Sequence, residues 1–334
     1  MTTIQSDNYS IIVGKDVFSS FDFFSYSKIA ILVDENTFKY CYPKLTRILD
    51  LDHDIITIVS GEENKTIETC NYVWDKLRFC GFDRDSLLIS LGGGVIGDLG
   101  GFVASTYKRG IDFLQIPTTL VAMVDASIGG KVGVNLDSHK NYIGAFYNPV
   151  SVLIFPEFLD TLPIEHIKSG VVEVIKHYLI SSKDYWYELI GLDLDSLDLE
   201  EVIIRSLEIK NKIVLSDPFE NGDRRKLNFG HTFGHAIESK NNISHGQAIS
   251  LGIVLACNTS NKLGYLKKEK IQRIHGLLSK FDLPTDISEI DRKELLPYVL
   301  KDKKAKRRDI DFIVLKDIGK ADIINIPIEK IIYE

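Results

Sequence analysis

The fold is decided by the stretch from Leu87 to Gly101, which reads L-L-I-S-L-G-G-G-V-I-G-D-L-G-G. Its first residues, up to Leu91, are mostly apolar, which is typical of a short strand buried on both faces. The glycines that follow lead into a helix, where backbone N–H groups can reach a pyrophosphate at the positive helix end. A tight connection that needs only small residues is the alternative. Asp98 among these glycines suits a ribose, an amide or a helix end better than a phosphate.

Short apolar runs alternate with helical stretches on both sides of this point. The runs that we interpret as strands are residues 10–13, 29–33, 55–59, 113–116 and 152–155, and helical stretches end near residues 49 and 79. This alternation predicts a parallel sheet with helices on both faces. Ligands of such sheets bind at the carboxyl ends of the strands. Asp34, Glu62 and the glycines after Leu91 lie at such ends.

The pattern changes after about residue 158. Helical periodicity dominates residues 165–301, and strands return only near 310–314 and 321–326. A chain of 334 residues is also too long for one typical hydrophobic core. We therefore predict an α/β protein in which residues 1–158 form a Rossmann-like parallel-sheet domain and residues 159–334 form a mostly α-helical metal-binding domain.

Composition limits the classes of partner. A formal net charge of −7 argues against nucleic acid, which requires a basic face. It leaves room for a small anionic substrate, because local lysines can form a positive pocket in an acidic protein. Cys41, Cys70, Cys80 and Cys257 are scattered, which favours reduced thiols in the cytoplasm over a disulfide framework. The absence of a signal-peptide pattern and of a long apolar run predicts no membrane partner.

Three histidines are clustered in the second half of the chain. His231 and His235 stand four apart in the stretch from Asp223 to Glu238, which otherwise looks helical, and His245 opens the next helical run. Residues at this spacing share a helix face about 5–6 Å apart. Imidazole is the commonest metal ligand, and a catalytic zinc site needs three protein groups. A half-exposed pair of helical histidines is the alternative.

Two other features bear on this cluster. Gly230 and Gly234 would allow the close approach of another backbone or of a ligand. Glu173 stands three residues before Lys176, where a surface ion pair of little energetic value is one interpretation. In the other interpretation, Glu173 is a third metal ligand beside His231 and either His235 or His245.

Several basic or amide side chains would suit an anionic ligand. The segment V-D-A-S-I-G-G-K-V-G-V-N carries Asp125 and Lys131, and H-K-N follows with Lys140 and Asn141. This region is either a loop that binds phosphate or carboxylate, or a solvated hairpin. Further candidates for an anion clamp are Lys210, Arg224 and Asn228, and the basic run at 301–308 is either a solvated surface or a further attraction for an anion.

These segments together resemble the 3-dehydroquinate synthase family of sugar-phosphate cyclases. The matching strings are GGGVIGDLGGF, TYKRGI, IPTTLVAMVDASIGGKVGVN, KNYIGAF, TLP, EVIK, RRKLNFGHTFGHAIE and HGQA, in family order from about residue 30 to 315. The resemblance implies conversion of 3-deoxy-D-arabino-heptulosonate 7-phosphate to 3-dehydroquinate and phosphate in the shikimate pathway. It implies transient oxidation by NAD, elimination of phosphate, re-reduction and an intramolecular aldol closure. It also implies Zn²⁺, with Co²⁺ as the alternative ion, and a cytoplasmic homodimer.

The resemblance also implies residue roles. The implied zinc ligands are Glu173, His231 and His245, so His235 becomes a residue that handles a proton or supports a ligand. The implied NAD contacts are Asp34, Asn36, Glu62, Lys65, Gly93, Gly94, Val95, Ile96, Gly97, Asp98, Thr118, Thr119, Lys131, Lys140, Phe158, Thr161 and Leu162. The implied substrate contacts are Asp125, Lys131, Lys140, Asn141, Lys176, Lys210, Arg224, Asn228, His235 and either Lys303 or Lys304. Arg109 resembles an arginine that reaches the phosphate of the neighbouring subunit, which implies the homodimer.

The chain departs from the family pattern at a few positions. Gln247 replaces the acidic residue after the H-G of the third ligand, and Glu165 and His166 replace the R-E after TLP. His139 replaces a glycine before K-N, and the basic run lacks a glycine. Glutamine can orient His245 by a hydrogen bond, but it lacks the charge that raises ligand basicity.

Other functions remain as alternatives at this point. A cyclase that makes an inosose or a valiolone would use the same fold, NAD and metal. A metal-dependent polyol dehydrogenase would release NADH stoichiometrically and has no need of the cations Lys131, Lys140, Lys210 and Arg224. A nucleotide-binding regulatory module would require all three metal candidates to be structural.

Overall fold

A computed structural model describes residues 1–137, 139–241, 243–301, 305–306 and 309–333. One unit comprises Met1–Pro163 and Leu199–Leu207, and the other comprises Ile164–Asp198 and Glu208–Glu334. The predicted domain boundary after residue 158 stays a prediction. Lys303 and Lys304 lie outside the described residues.

The first unit contains the predicted alternation of strands and helices. Its strands are β1 (Thr2–Gln5), β2 (Ser10–Val13), β3 (Ile29–Asp34), β4 (Asp54–Ile58), β5 (Leu87–Gly92), β6 (Asp112–Pro117), β7 (Lys131–Leu136), β8 (His139–Phe146) and β9 (Ser151–Ile154). Its helices are α1 (Glu35–Tyr40), α2 (Tyr42–Ile48), α3 (Ile67–Phe79) and α4 (Gly94–Thr106). The apolar runs therefore mark β2, β3, β4, β5, β6 and β9 to within a residue or two, whereas no predicted run marks β1, β7 or β8.

Seven of these strands form one sheet in the order β1-β2-β9-β6-β5-β3-β4. All neighbours pair in parallel except β1 with β2. Every residue of β5 and of β9 is buried, as expected for strands covered on both faces. The predicted Rossmann-like α/β fold is confirmed. The chain runs outward from β3 to β4 and then returns past β3 to β5, so the strand order reverses between β3 and β5. In doubly wound sheets a ligand crevice lies at such a point.

The segment after Lys131 forms the antiparallel hairpin β7–β8. Val132 and Val134 on β7 are buried in the same core as Leu99 and Val103 of α4. The hairpin is therefore anchored by its apolar residues, while Lys131 and Lys140 are exposed. The region therefore forms a hairpin, and its binding of phosphate or carboxylate stays a prediction.

The second unit is mostly helical and ends in a small sheet. Its helices are α5 (Ile164–Ser181), α6 (Lys183–Ile190), the part of α7 (Leu199–Ser216) from Glu208 onward, α8 (His231–Asn241), α9 (His245–Lys262), α10 (Lys268–Lys280), α11 (Arg292–Lys301) and α12 (Glu329–Ile332). Its strands are β10 (Ala305–Lys306), β11 (Asp309–Asp317) and β12 (Lys320–Pro327), which pair antiparallel. No helix in the described part of the chain is long and apolar enough to span a membrane.

The expectation that Asp223–Glu238 is helical throughout is wrong in its first half. Asp223–Asn228 forms a 3₁₀ segment, and α8 starts only at His231. The break has a local cause, because Phe229 leaves the helical region at ψ 128° and Gly230 has φ +79°. A left-handed φ is cheap only for glycine, so this position lets the chain turn into a new helix.

Candidate functional site

Helix α5 carries Glu173 and Lys176, both of which are buried. The two residues are 0% and 1% exposed, and their side chains form an ion pair. A buried carboxylate is strongly destabilising unless it is paired or coordinates a metal. The interpretation of this pair as a weak surface contact is therefore wrong.

Small residues bring α5, α8 and α9 into close contact. A Cβ on Gly252 of α9 would lie 2.2 Å from the carbonyl oxygen of Gly230 and 2.7 Å from the amide nitrogen of Gly234. The two glycines predicted to permit a close approach therefore admit another backbone, that of α9. A Cβ on Gly246 would lie 2.5 Å from Cα of Ser169, so the start of α9 also lies directly against α5.

This packing brings two histidines, His231 and His245, to the carboxylate of Glu173. His245 Nε2 lies 3.3 Å from Glu173 Oε1, and His231 Nε2 lies 3.7 Å from the same oxygen. The ligand atoms of the three residues all lie within 4.8 Å of one another. His235 lies beside them, with its ring centroid 5.1 Å from that of His231, but it is not in this group of donors.

The outer nitrogens of both histidines are held by other groups. His231 Nδ1 lies 3.2 Å from the carbonyl oxygen of Phe229. Since a carbonyl only accepts, Nδ1 donates, and the lone pair of Nε2 faces Glu173. His245 Nδ1 lies 3.4 Å from Glu238 Oε2. Two imidazoles and a carboxylate, each imidazole fixed from behind, are the donor set of a catalytic zinc site, so the residues fit such an ion.

The pKa values of the two histidines move in opposite directions. Burial and the neighbouring charge of Lys176 hold the pKa of His231 well below its ordinary value. Burial also disfavours protonation of His245, but its hydrogen bonds with Glu173 and Glu238 outweigh burial and raise its pKa to about 9. The two carboxylates therefore favour the protonated form of His245, whereas burial and Lys176 favour the neutral form of His231.

A turn anchored by Asp217 presents Arg224. The Asp217 carboxylate accepts hydrogen bonds from the backbone N–H groups of Asn221, Gly222 and Arg224 at 2.9, 2.7 and 3.1 Å. The Arg224 side chain donates to the carbonyl oxygen of Pro218 and is almost fully buried. Asp217 was not singled out in the sequence, because its function is to bond backbone groups of a turn that no spacing rule marks.

Other cations and amides of the second unit are also enclosed. Lys210 is 5% exposed, and Asn228 donates from Nδ2 to Glu220 Oε1 at 2.6 Å. With Lys176 and Arg224, the described residues of this unit include three buried cations. Such cations are the side chains expected to hold a phosphate or carboxylate by charge-assisted hydrogen bonds.

In the first unit, Lys65 is the centre of a polar cluster. Its side chain is 4% exposed, and its Nζ donates to Asp98 Oδ2 and to Asn141 Oδ1, both at 2.5 Å. Asp98, expected to serve a ribose, an amide or a helix end, is thus paired with a lysine. Lys65 and Asp98 are expected to contact NAD, and Asn141 is expected to contact substrate. The three side chains lie together in this cluster.

The ends of β3, β5 and β6 carry the other candidates of this unit. Asp34 caps α1 by accepting from the Thr37 amide at 2.8 Å, and Thr118 N–H bonds to the carbonyl oxygen of Gly92 at 3.0 Å. Gly93 is the N-cap of α4, so Gly94 and the following residues, Val95, Ile96 and Gly97, form its first turn. Thr119 is half-buried and accepts from the Ala122 amide, and Asn36 is exposed.

The remaining candidates of the first unit are dispersed. The ring of Phe158 is 1% exposed and packs against Phe155 in the core, Thr161 is exposed and Leu162 is half-buried. Asp125 lies in a π-helical turn at Ala122–Ala126, a feature frequent at functional sites. Arg109 is exposed at φ +69°, next to Lys108 at φ +49°. Two consecutive non-glycine residues in this region store backbone strain.

Comparison with known proteins identifies the family. Profiles described as 3-dehydroquinate synthase N-terminal and 3-dehydroquinate synthase C-terminal match residues 55–169 and 170–305. A 3-dehydroquinate synthase of Thermoanaerobacter pseudethanolicus is 41% identical over 321 residues, covering 92% of this chain and 89% of that protein. The chain belongs to the 3-dehydroquinate synthase family. The predicted activity and enzyme class, a lyase of the shikimate pathway, are confirmed.

Solved structures with the same fold extend beyond this family. A 2-deoxy-scyllo-inosose synthase complexed with carbaglucose-6-phosphate, NAD⁺ and Co²⁺ has a TM-score of 0.88 at 24% identity, covering 99% of this chain and 98% of its own. A 2-epi-5-epi-valiolone synthase from Streptomyces hygroscopicus with NAD⁺ and Zn²⁺ bound has a TM-score of 0.86 at 24% identity, covering 100% and 97%. At this identity the likeness shows the fold alone.

One departure from the 3-dehydroquinate synthase pattern has a structural explanation. Gln247 was expected to orient His245, but it forms a capping box with Ser244, whose amide lies 3.2 Å from Gln247 Oε1. The carboxylate beside His245 comes instead from Glu238 on α8. Glu238 was missed, although its spacing of seven residues from His231 places both on one helix face.

Proposed function

We propose that this family member converts 3-deoxy-D-arabino-heptulosonate 7-phosphate to 3-dehydroquinate and phosphate with bound NAD and a zinc ion. The observation that carries the proposal is the convergence of two imidazole Nε2 atoms on one buried carboxylate oxygen, in a chain with this family membership. Cobalt is the alternative ion.

Glu173, His231 and His245 would hold the metal. When bound, a zinc ion supplies a Lewis acid that eases proton loss from the substrate hydroxyl that is oxidised. His231 can bind a metal ion through Nε2 while Nδ1 keeps its proton, because that proton is directed at the Phe229 carbonyl oxygen. Because the pKa of His245 is raised, a metal ion would compete with a proton for this side chain. His235, beside both rings, is placed to take or return protons.

The cofactor contacts are proposed for the first unit. NAD⁺, when bound, accepts a hydride and returns it, so the reaction consumes none. The position of Asp34 and Gly93 at the carboxyl ends of β3 and β5, where the strand order reverses, supports this assignment. The amides of the first turn of α4 offer donors to a pyrophosphate. Phe158 can contribute only through its backbone or ring edge, since the ring lies in the core.

The substrate anions are assigned to the cations. Lys176, Lys210 and Arg224 are held in a low-dielectric interior, where their attraction for a phosphate or carboxylate is stronger than at the surface. Lys131, Lys140 and Asn141 on the hairpin and Asp125 in the π-helical turn are the substrate contacts proposed for the first unit. These local charges explain how a protein with a net charge of −7 takes an anionic substrate.

The proposal extends to assembly and compartment. We assign a homodimer in which Arg109 reaches the phosphate of the neighbouring subunit, and the strained, exposed position of Arg109 supports a role beyond packing. A cytoplasmic enzyme is supported by four free cysteines in the described part of the chain.

The test is phosphate release from the heptulosonate phosphate with catalytic NAD and zinc, while the nicotinamide absorbance is followed. Release without net NADH, lost on chelation and in His231→Ala, is expected. His53→Ala is the matched control, because His53 bonds Tyr42 in the first unit. No release, with NAD and zinc still bound, would point to another sugar phosphate. Steady NADH accumulation with a polyol would indicate a dehydrogenase.

A further inference from the structure

Asn135 connects the β7–β8 hairpin to the segment that carries Glu62 and Lys65. Its Nδ2 donates to the Glu62 carboxylate at 2.9 Å and to the Glu62 carbonyl oxygen at 3.2 Å. Its Oδ1 accepts from the Asn141 amide at 2.8 Å, and its own amide donates to the Lys65 carbonyl oxygen at 2.8 Å. Both side-chain N–H groups and the side-chain oxygen are therefore used.

These bonds close a ring. Asn135 bonds Lys65 through the backbone, Lys65 Nζ bonds the Asn141 side chain, and the Asn141 amide bonds back to Asn135. Asn141 has φ +52°, a conformation that a residue with a side chain rarely adopts without support. The acceptor that Asn135 offers to its amide supplies that support.

We propose that Asn135 is a positioning residue that sets Asn141 and Lys140 of the hairpin against Glu62 and Lys65. The inference rests on the proposed function, in which the first pair contacts substrate and the second contacts NAD. As a consequence, the binding of substrate and the binding of NAD both depend on the side chain of Asn135, which is not a proposed contact of either ligand. Asn135 ends the segment V-D-A-S-I-G-G-K-V-G-V-N, but the predicted contacts did not include it.

The chemistry of the ring explains the need for an amide. An aspartate at this position would keep the acceptor for the Asn141 amide, but it would place a second carboxylate beside that of Glu62. Two carboxylates that share a site raise the pKa of one of them, so the defect would depend on pH. An alanine would remove both the donor and the acceptor. The resulting loss of ligand binding would then not depend on the protonation of a second carboxylate.

The test compares Asn135→Asp and Asn135→Ala with the wild type and with Asn148→Ala. Asn148 is the control because its Nδ2 bonds the exposed Asn8 side chain, away from the ring. Dissociation constants for NAD are measured by calorimetry at pH 6 and pH 8, with kcat and KM for phosphate release. Asn135→Ala is expected to weaken NAD binding and raise the substrate KM, each by roughly tenfold or more, as for lost hydrogen bonds to charged groups.

The pH profile separates positioning from general destabilisation. In Asn135→Asp, NAD affinity is expected to recover towards pH 6, whereas the wild type and Asn135→Ala show no such recovery. Wild-type affinity and KM in Asn135→Ala, or a wild-type pH profile in Asn135→Asp, would overturn the proposal. If Asn135→Ala does not fold, the isosteric Asn135→Asp carries the test.

Hydrogen exchange distinguishes failure of this inference from failure of the proposed function. In the ligand-free protein the Asn141 amide is expected to be protected, and Asn135→Ala is expected to remove that protection. A wild type that binds no NAD would refute the proposed function but leave this readout in place. Unchanged protection in Asn135→Ala would refute the ring itself.

Discussion

At the scale of single residues, the metal candidates show what sequence can and cannot reveal. The spacing of His231, His235 and His245 predicted a cluster, but the choice between His235 and His245 as a ligand stayed open until the family resemblance was considered. The structure groups His245 with Glu173 because α9 starts against α5, a contact between distant parts of the chain. Glu238 could not be assigned in advance, because its partner His245 lies on another helix.

Glu238→Gln is expected to lower zinc affinity by about 10- to 100-fold, the usual effect of removing a carboxylate behind a histidine ligand. The zinc dissociation constant of each variant is measured by competition with a chromogenic chelator. Gln247→Ala is the matched comparison, because Gln247 belongs to the capping box of α9. It is expected to lower the free energy of unfolding by about 0.5–2 kcal/mol while zinc affinity is kept. Equal zinc affinity in Glu238→Gln and wild type would assign the support of His245 to another group.

At the scale of elements, apolar runs predicted six strands of the large sheet, but they did not predict β1, the β7–β8 hairpin or every helix boundary. Leu87–Leu91 forms most of β5, because an apolar run of this length before a glycine cluster is long enough for a buried strand and too short for a typical helix. The start of α8 was missed because the left-handed turn at Gly230 follows from close packing with α9, which local propensity does not encode. The pairing of Lys65 with Asp98 is likewise a tertiary contact.

Gly252→Ala is expected to separate α8 from α9, since its Cβ would lie 2.2 Å from a backbone oxygen that cannot rotate away. We expect a loss of about 1–3 kcal/mol in the free energy of unfolding, as for overpacked cores, and weaker zinc binding. Denaturant unfolding measures the free energy of unfolding, and competition with a chelator measures zinc binding. Gly276→Ala in α10 is the control, because nothing lies within 4 Å of its added Cβ, and it should stabilise the helix by about 0.5–1 kcal/mol. A Gly252→Ala protein as stable as the wild type would contradict the close helix contact.

Asp217 gives the turn before Arg224 a dependence on pH. Partial desolvation alone would raise its pKa, but the amides of Gly222, Asn221 and Arg224 outweigh it and hold the pKa below its ordinary value. A lowered folded pKa stabilises the fold above the unfolded value of about 3.9, and this contribution is lost as pH falls through the folded pKa. Asp217→Asn is therefore expected to be less stable than the wild type at pH 7, with a smaller difference at pH 3.

Urea unfolding at the two pH values measures this difference. The control is Asp223→Asn, whose carboxylate is 67% exposed and pairs with Lys226, so it should change stability little. A difference between Asp217→Asn and wild type that stays constant from pH 7 to pH 3 would show that the carboxylate charge does not hold the turn.

At the scale of the whole molecule, the open question is whether one subunit completes the active site of another. Symmetric homo-oligomers permit such an exchange of residues. Arg109→Ala would remove the arginine from every site but leave the metal ligands intact. His231→Ala would remove a metal ligand but still supply Arg109 to the neighbouring subunit. Each variant alone is expected to be nearly inactive. After mixing under conditions that exchange subunits, only a mixed dimer holds one complete site, so about one quarter of wild-type activity should return at equal amounts. No recovery, with mixed dimers demonstrated by differently tagged subunits, would place Arg109 in its own subunit's site or outside the site altogether.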